Sequence, residues 1–166
     1  MELIVAVSRN WGIGKGGELL FSIPEDMKFF RAATQGKTVV MGRKTLDSLP
    51  GGRPLKNRRN IVLTRDPDLQ VEGAEVYCTG AEVRLAVAGE SGDRVLVMGG
   101  AQIYRLFLDD CDRAYVTRVD ADADADSFFP NLDDRDDWTL EQQSDEKEYN
   151  GLHYRFCTYV RRPRGE

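Results

Sequence analysis

Asp26 is a carboxylate on an apolar helix face. Helical spacing sets it with Phe30 and Ala33, and Met27 flanks the same stripe. Spacing alone leaves two readings open. Glu25 and Asp26 can be helix-start acids, stabilised in a first turn by the macrodipole. Alternatively Asp26 faces a pocket, where desolvation raises its pKa and a cationic or amide-like partner favours the ionised form. Such a partner would form two charge-assisted hydrogen bonds, each contributing about 1.5–3 kcal/mol.

Gly42-Arg43-Lys44-Thr45 places two cations where an apolar run ends and a short helix begins, so they oppose the helix dipole. An anion held at the exposed backbone N–H groups reverses that penalty. The segment is therefore a candidate phosphate site, joined by Thr64 and Arg65 after the next apolar run. A solvated basic turn is the competing reading. Met98-Gly99-Gly100-Ala101 is a similar junction, where missing side chains permit close approach of a ligand. It is not a Gly-x-Gly-x-x-Gly fingerprint, and a tight strand-to-helix turn also demands glycine.

Asn10 to Gly17 carries glycine at positions 12, 14, 16 and 17, a composition suited to a mobile flap. Asp120, Asp122, Asp124 and Asp126 invite a calcium reading. No register supplies the glycine and glutamate that a calcium loop requires, so the ladder reads as a solvated strand end. The single histidine, His153, lies in an alternating segment, which argues against a Ser-His-Asp triad or a multi-histidine zinc site. Cys78, Cys111 and Cys157 are widely spaced, with no Cys-x-x-Cys pair, and suggest neither a disulfide framework nor a thiolate metal site.

These residues need a scaffold. The runs Leu3 to Val7, Val39 to Met41, Ile61 to Leu63 and Val95 to Met98 lack polar alternation, as strands covered on both faces do. Helix-like stretches lie between them: Pro24 to Thr34 with a first-turn proline, Thr79 to Ala88 behind a capping hydroxyl, and Ala101 to Leu108 after the glycine pair. Alternating strand and helix predicts parallel pairing. Near the end, Leu152, Tyr154, Phe156 and Thr158 alternate with His153, Arg155 and Cys157, and Trp138 to Gln142 is a second candidate strand. An antiparallel edge follows, with a turn at Asn150-Gly151 and a frayed tail at 161–166.

The chain has 166 residues, 41% hydrophobic and 31% charged, which predicts one domain over 1–166 with a real core. The N-terminus lacks a leader-like pattern and no apolar run approaches the roughly 20 residues of a membrane span, so a cytoplasmic protein away from membranes is expected. A formal net charge of −5 disfavours non-specific nucleic-acid binding and requires any anionic ligand to meet locally clustered Arg and Lys.

Taken in order, IVAVSRNWGIGKGG, SIPEDMKFFR, VVMGRKT, RPLKNRRNIVLTR, VMGGAQIY, YVTRVDADADADSFFP and the Trp138 segment resemble the dihydrofolate reductases of the chromosomal bacterial type over nearly the whole chain. The resemblance implies an α/β fold, with an eight-stranded mixed, mostly parallel sheet, an antiparallel C-terminal edge and about four helices. It implies a monomer that binds NADPH, dihydrofolate and antifolates, reducing 7,8-dihydrofolate to tetrahydrofolate by hydride transfer to C6 and protonation of N5, without a metal.

By the same resemblance, Asp26 matches the acid that holds the pterin N3 and 2-amino group, and Thr117 the residue bridging acid and amino group. Phe21 and Leu19 fall in the catalytic flap region. Val5, Ala6, Met27, Phe30, Leu49, Leu55, Met98 and Tyr104 match the substrate wall, and Arg58 the cation for the glutamate α-carboxylate. Ala6, Ile13, Gly14 and Tyr104 match the nicotinamide end of the cofactor site. Gly42, Arg43, Lys44, Thr45, Leu63, Thr64 and Arg65 match the adenosine and 2′-phosphate region, and Gly99, Gly100, Ala101, Gln102, Ile103 and Tyr104 the pyrophosphate region. The glycine pair is expected to contain a cis peptide.

Leu20-Phe21 departs from the family's pattern, where many relatives carry tryptophan at the second position. Phenylalanine cannot donate the indole N–H bond. Two alternatives to the reductase are a riboflavin-pathway pyrimidine reductase of the same fold and a non-catalytic pterin- or dinucleotide-binding protein. Arg58 argues against the former, whose substrate has no glutamate tail.

Overall fold

A computed structural model describes residues 1–162. In chain order the elements are β1 (Glu2–Val7), β2 (Gly12–Lys15), β3 (Glu18–Leu19), α1 (Pro24–Thr34), β4 (Thr38–Gly42), α2 (Arg43–Ser48), β5 (Arg59–Leu63) and β6 (Ala74–Tyr77). They continue with α3 (Gly80–Ala86), β7 (Val95–Val97), α4 (Ala101–Phe107), β8 (Arg113–Val119), β9 (Ser127–Phe128), β10 (Trp138–Gln143), β11 (Lys147–Tyr149) and β12 (Leu152–Arg161).

The main sheet runs β10-β12-β8-β1-β7-β4-β5-β6, with β11 pairing β12 as a ninth strand off that path. From β8 to β6 every pairing is parallel. β12 is antiparallel to β8, β10 and β11, so the expected antiparallel C-terminal edge is present. β2, β3 and β9 form a separate three-stranded sheet.

Alternate residues of the central strands point to opposite faces, and both faces are covered. Leu3, Val5, Val7, Val40, Ile61, Val95 and Val97 pack with Val83, Tyr104 and Phe107. On the other face Val39, Met41 and Val62 pack with Leu46, Leu49, Leu55 and Met98. This double burial is why the apolar runs lack polar alternation.

α1 begins at Pro24, carries Glu25 and Asp26 in its first turn and Arg31 in its last, and ends where Thr34 Oγ1 turns back to the Phe30 carbonyl at 2.8 Å. Thr79 caps α3 by accepting from the Glu82 N–H at 3.2 Å. The β11–β12 hairpin closes on Asn150-Gly151, both at positive φ (49° and 82°), the geometry of a two-residue primed turn.

One expectation needs correction and another an addition. Arg161 belongs to β12, pairs with Trp138, and donates to the Cys111 carbonyl at 2.8 Å and to Asp137 at 2.9 Å; its frayed-tail assignment fails because a buried guanidinium ties the strand end to the sheet. Arg162, though exposed, donates its N–H to the Asp137 carbonyl at 2.9 Å, and 163–166 lie outside the described residues. The acidic ladder follows directly on the end of β8 at Val119 with its four aspartates exposed, as expected of a solvated strand end, but they also pair with Arg9, Lys15 and the Gly16 N–H beside the glycine-rich flap.

Candidate active site at the strand ends

The chain leaves β1, crosses to β4, steps outward through β5 and β6, and returns with β7 between β1 and β4. A ligand crevice forms at such a reversal, outside the carboxyl ends of the strands. The ends concerned are Val7, Gly42, Leu63 and Val97, followed by the segments that carry the candidate residues.

Asp26 projects from the first turn of α1 towards β8. Thr117 Oγ1 donates to its Oδ1 at 2.6 Å, and Thr117 is itself buried, in register with Ala6 of β1 and Phe156 of β12. Burial pushes the Asp26 carboxyl above the usual carboxylate range, and the Thr117 bond partly offsets this. No cation among the described residues takes part. Of the two sequence readings, the geometry favours the pocket acid, since a helix-start acid needs no buried hydroxyl 91 residues away.

Tyr104 links the acid to the glycine pair. Its hydroxyl donates to the Ile4 carbonyl at 2.6 Å, and burial, then the nearby Asp26 charge, hold the phenol far above its ordinary pKa. A Cβ on Gly99 would sit 3.1 Å from the Tyr104 ring, and Gly99 has φ +111°, so only glycine fits. The Gly99–Gly100 peptide is cis. The Gly99 carbonyl accepts from the Gly42 N–H at 2.9 Å, tying the ends of β4 and β7 together.

Beyond Gly42 the character changes. Arg43 is only loosely paired, 3.8 Å from Asp47 and 4.0 Å from Asp66, and is half exposed. Lys44 and Arg65 are exposed, with no carboxylate within 4.0 Å among the described residues. Thr45 lies near Gly100, where an added Cβ would be 3.9 Å from its Oγ1. Thr64 Oγ1 accepts from the Asp66 N–H at 3.2 Å, and Leu63 before it is buried. α2 and α4 begin at Gly42 and Gly100 with no side-chain cap, which leaves their first N–H groups open to another acceptor. Ala101 and Ile103 pack against the core, and Gln102 is exposed.

On the other side, Val5 and Ala6 lie on β1 beside Val116 and Thr117. Leu49, Leu55 and Met98 line one apolar cluster, Phe30 is partly buried, and Met27 is half exposed. Arg58 is held entirely by neutral acceptors: Thr34 Oγ1 at 2.9 Å and the carbonyls of Lys56 at 2.8 Å and Arg31 at 3.4 Å. Burial and the neighbouring Arg31 charge lower its pKa, which marks a cation lacking an anion.

The flap is a β2–β3 hairpin turning at Gly16-Gly17 and pairing with β9. Ile13 is buried, Gly14 pairs with Leu19, and Leu19 is 79% exposed. Leu19 contributes nothing to the hydrogen bonding of Asp26 among the described residues, whereas Phe21 packs with Ile23, Val119 and Tyr154 near the start of α1. The aspartate ladder grips this hairpin: Arg9 meets Asp120 at 2.9 Å and Asp122 at 3.0 Å, Lys15 meets Asp124, and the Gly16 N–H donates to Asp126 at 2.9 Å. Four acids at alternate positions opposite two cations were the signal for that pairing, which reading the ladder in isolation missed.

The sequence profile described as dihydrofolate reductase matches residues 1–161. A dihydrofolate reductase of Neisseria meningitidis serogroup B is 40% identical over 163 residues, covering 97% of this chain and 98% of its own. That of Mycobacterium leprae is 42% identical over 163 residues, covering 96% of each. Among solved structures, a dihydrofolate reductase from Enterococcus faecalis complexed with NADP(H) and RAB-propyl superposes with a TM-score of 0.85 at 33% identity, covering 98% of this chain and 96% of its own. Agreement of this extent, over the whole stretch that carries Asp26 and the glycine pair, places the chain in the dihydrofolate reductase family.

Proposed function

We propose that Asp26 is the substrate-recognising acid of an enzyme that reduces 7,8-dihydrofolate with NADPH. The observation that carries this is a half-buried carboxylate whose one side-chain partner among the described residues is a neutral hydroxyl. Burying such a group costs stability unless a ligand supplies donors. The N3–H and 2-amino group of a pterin form a two-donor edge matching the carboxylate, with Thr117 fixing its orientation. The ionised acid then favours the protonated pterin.

NADPH, when bound, supplies the hydride that C6 accepts. The residues present fit it: Gly100, whose missing Cβ would meet only Thr45 Oγ1 at 3.9 Å, allows close backbone approach, Gly42 and Gly99 let Ile103 and Tyr104 pack against that turn, and Arg43, Lys44 and Arg65 offer positive charge that is loosely paired or without a carboxylate among the described residues for a 2′-phosphate. Thr45, Thr64 and the segment 101–104 complete that wall. Ala6, Ile13, Gly14 and Tyr104 border the nicotinamide end, with Tyr104 kept neutral by burial.

Asp26 grips the pyrimidine edge opposite the reacting bond, so it does not hand its proton to N5; water admitted past the flap does. Phe21 offers no donor to order that water. Leu19 and the hairpin around it govern access. Met27, Phe30, Leu49 and Leu55 enclose the aminobenzoyl part, Val5 and Met98 complete the substrate wall, and Arg58 takes the glutamate α-carboxylate. Antifolates presenting the same amidine edge compete for Asp26.

No helix among the described residues is long and apolar enough to cross a membrane. Mixing the protein with NADPH and dihydrofolate and following cofactor absorbance tests the reading. Stoichiometric oxidation with tetrahydrofolate formed is expected; binding without turnover, or reduction of a ribosylamino-pyrimidine instead, would contradict it.

A further inference from the structure

α1 starts without a side-chain cap, since Ile23 stands at that position. An uncapped first turn frays unless tertiary contacts hold it. Here the first turn carries the acid on which substrate recognition rests, and both of its acids are tied to the sheet. Asp26 takes the Thr117 hydroxyl at 2.6 Å. Glu25 takes the Tyr154 hydroxyl on Oε2 at 3.1 Å and Lys147 Nζ on Oε1 at 3.2 Å.

The sheet register explains why these contacts act together. Lys147 and Tyr154 are cross-strand partners between β11 and β12, and Tyr154 also pairs with Val119 of β8. Val119 is two residues beyond Thr117, so both point to the same face. One rung of the sheet grips Glu25, and the next rung on that face grips Asp26. Tyr154 is 2% exposed, and Glu25 is the acceptor of its hydroxyl. Losing that acceptor would leave a buried hydroxyl unpaired, which distinguishes the contact from a casual surface ion pair.

We propose that Glu25 is a positioning residue: the Lys147–Glu25–Tyr154 contact locks the first turn of α1 so that Asp26 keeps its Thr117 bond and stays aimed at the pterin edge. This rests on the reading of Asp26 given above. Four groups face the two acids: Thr117 from β8, Tyr154 from β12, Lys147 from β11, and Tyr104 from α4. Burial raises the pKa of both phenols.

Steady-state kinetics with dihydrofolate, NADPH binding and pH profiles of Tyr154→Phe, Glu25→Ala and Lys147→Met test the lock. The first two should lower kcat/KM for dihydrofolate by about tenfold, as expected for a displaced recognition group, with the third having less effect. NADPH affinity should stay unchanged. The loss of dihydrofolate affinity in acid should move to higher pH, because a loosened Thr117 bond no longer lowers the Asp26 pKa. In a Thr117→Val background, Glu25→Ala should cost little more. With Thr117 intact, Glu25→Gln, which keeps an acceptor for Tyr154, should retain most of the activity that Glu25→Ala loses. Undiminished kcat/KM in Tyr154→Phe and Glu25→Ala, equal losses of NADPH and dihydrofolate affinity, or failure of Glu25→Gln to rescue would overturn the proposal. An Asp26→Asn control separates the two claims: if it too is fully active, the Asp26 reading itself fails rather than the lock alone.

Discussion

Asp26 and Arg43 flank one set of strand ends, and their surroundings treat charge in opposite ways. Around Asp26 a single acid is half-buried, bonded to Thr117 and close enough to Tyr104 to raise its pKa. Around Arg43 the cations are exposed and at most loosely paired, and the shape of the site comes from glycine backbone. A desolvated charge discriminates strongly and responds to pH, because few groups can replace its lost water. Exposed cations add affinity that salt screens, and they tolerate imprecise geometry. A substrate that must be aligned for chemistry at one bond suits the first arrangement. A cofactor tail that need only be retained suits the second.

The largest effect that would sharpen this contrast belongs to Asp26→Asn. Losing two charge-assisted bonds of about 1.5–3 kcal/mol each should lower kcat/KM for dihydrofolate by about two to four orders of magnitude, with NADPH affinity hardly altered. Stopped-flow kinetics and fluorescence titration would measure both; a parallel loss of cofactor binding would erase the distinction between the walls.

Next comes the charge pair on the cofactor wall. Replacing Arg43 and Lys44 together by alanine should weaken NADPH by about ten- to hundredfold, and NADH far less. Equal losses would remove the 2′-phosphate from this place. The cofactor wall should also be the salt-sensitive one, with NADPH affinity falling more steeply with ionic strength than that of a tail-less dihydropterin. Arg58→Gln should raise KM for dihydrofolate by about tenfold and leave the tail-less compound almost unchanged. If both substrates suffer alike, Arg58 supports the end of α1 rather than the glutamate.

The smallest effect is on stability. The folded pKa of Asp26 lies above its unfolded value, so the folded protein holds more protons between the two. Stability therefore falls as pH rises through that window, and the cost is fully present above the folded pKa. Asp26→Asn should remove this slope and raise Tm near neutrality by about 2–4 °C in thermal melts at several pH values. A lower Tm would mean that the carboxylate is structural.

Much of this scaffold is legible in the sequence, for identifiable reasons. Pro24 at a first-turn position and Gly36 two residues after Thr34 fix α1, and the doubly buried strands announce themselves through unbroken apolar runs. What escapes is structure that depends on distant partners. The hairpin of β2 and β3 hides in a glycine-rich stretch because its register is set by β9 and the aspartate ladder, more than a hundred residues away. β11 is three residues long and exists only through its turn and its pairing with β12. At the site, the oddity of Asp26 can be read from helical spacing, but Thr117 as its partner is reached only through family resemblance. Glu25, which spacing leaves as a helix-start acid, acquires meaning only when β12 folds back beside α1.

NMR titration of the Asp26 carboxyl carbon, with the protein free and then with a pterin-bearing ligand bound, addresses the recognition claim without relying on turnover. The free protein should show a pKa above the ordinary carboxylate range, and binding should depress it, because the ligand's donors favour the ionised form. A free carboxyl titrating at its ordinary value, or one indifferent to the bound pterin, would contradict the assignment of Asp26 as the recognition group.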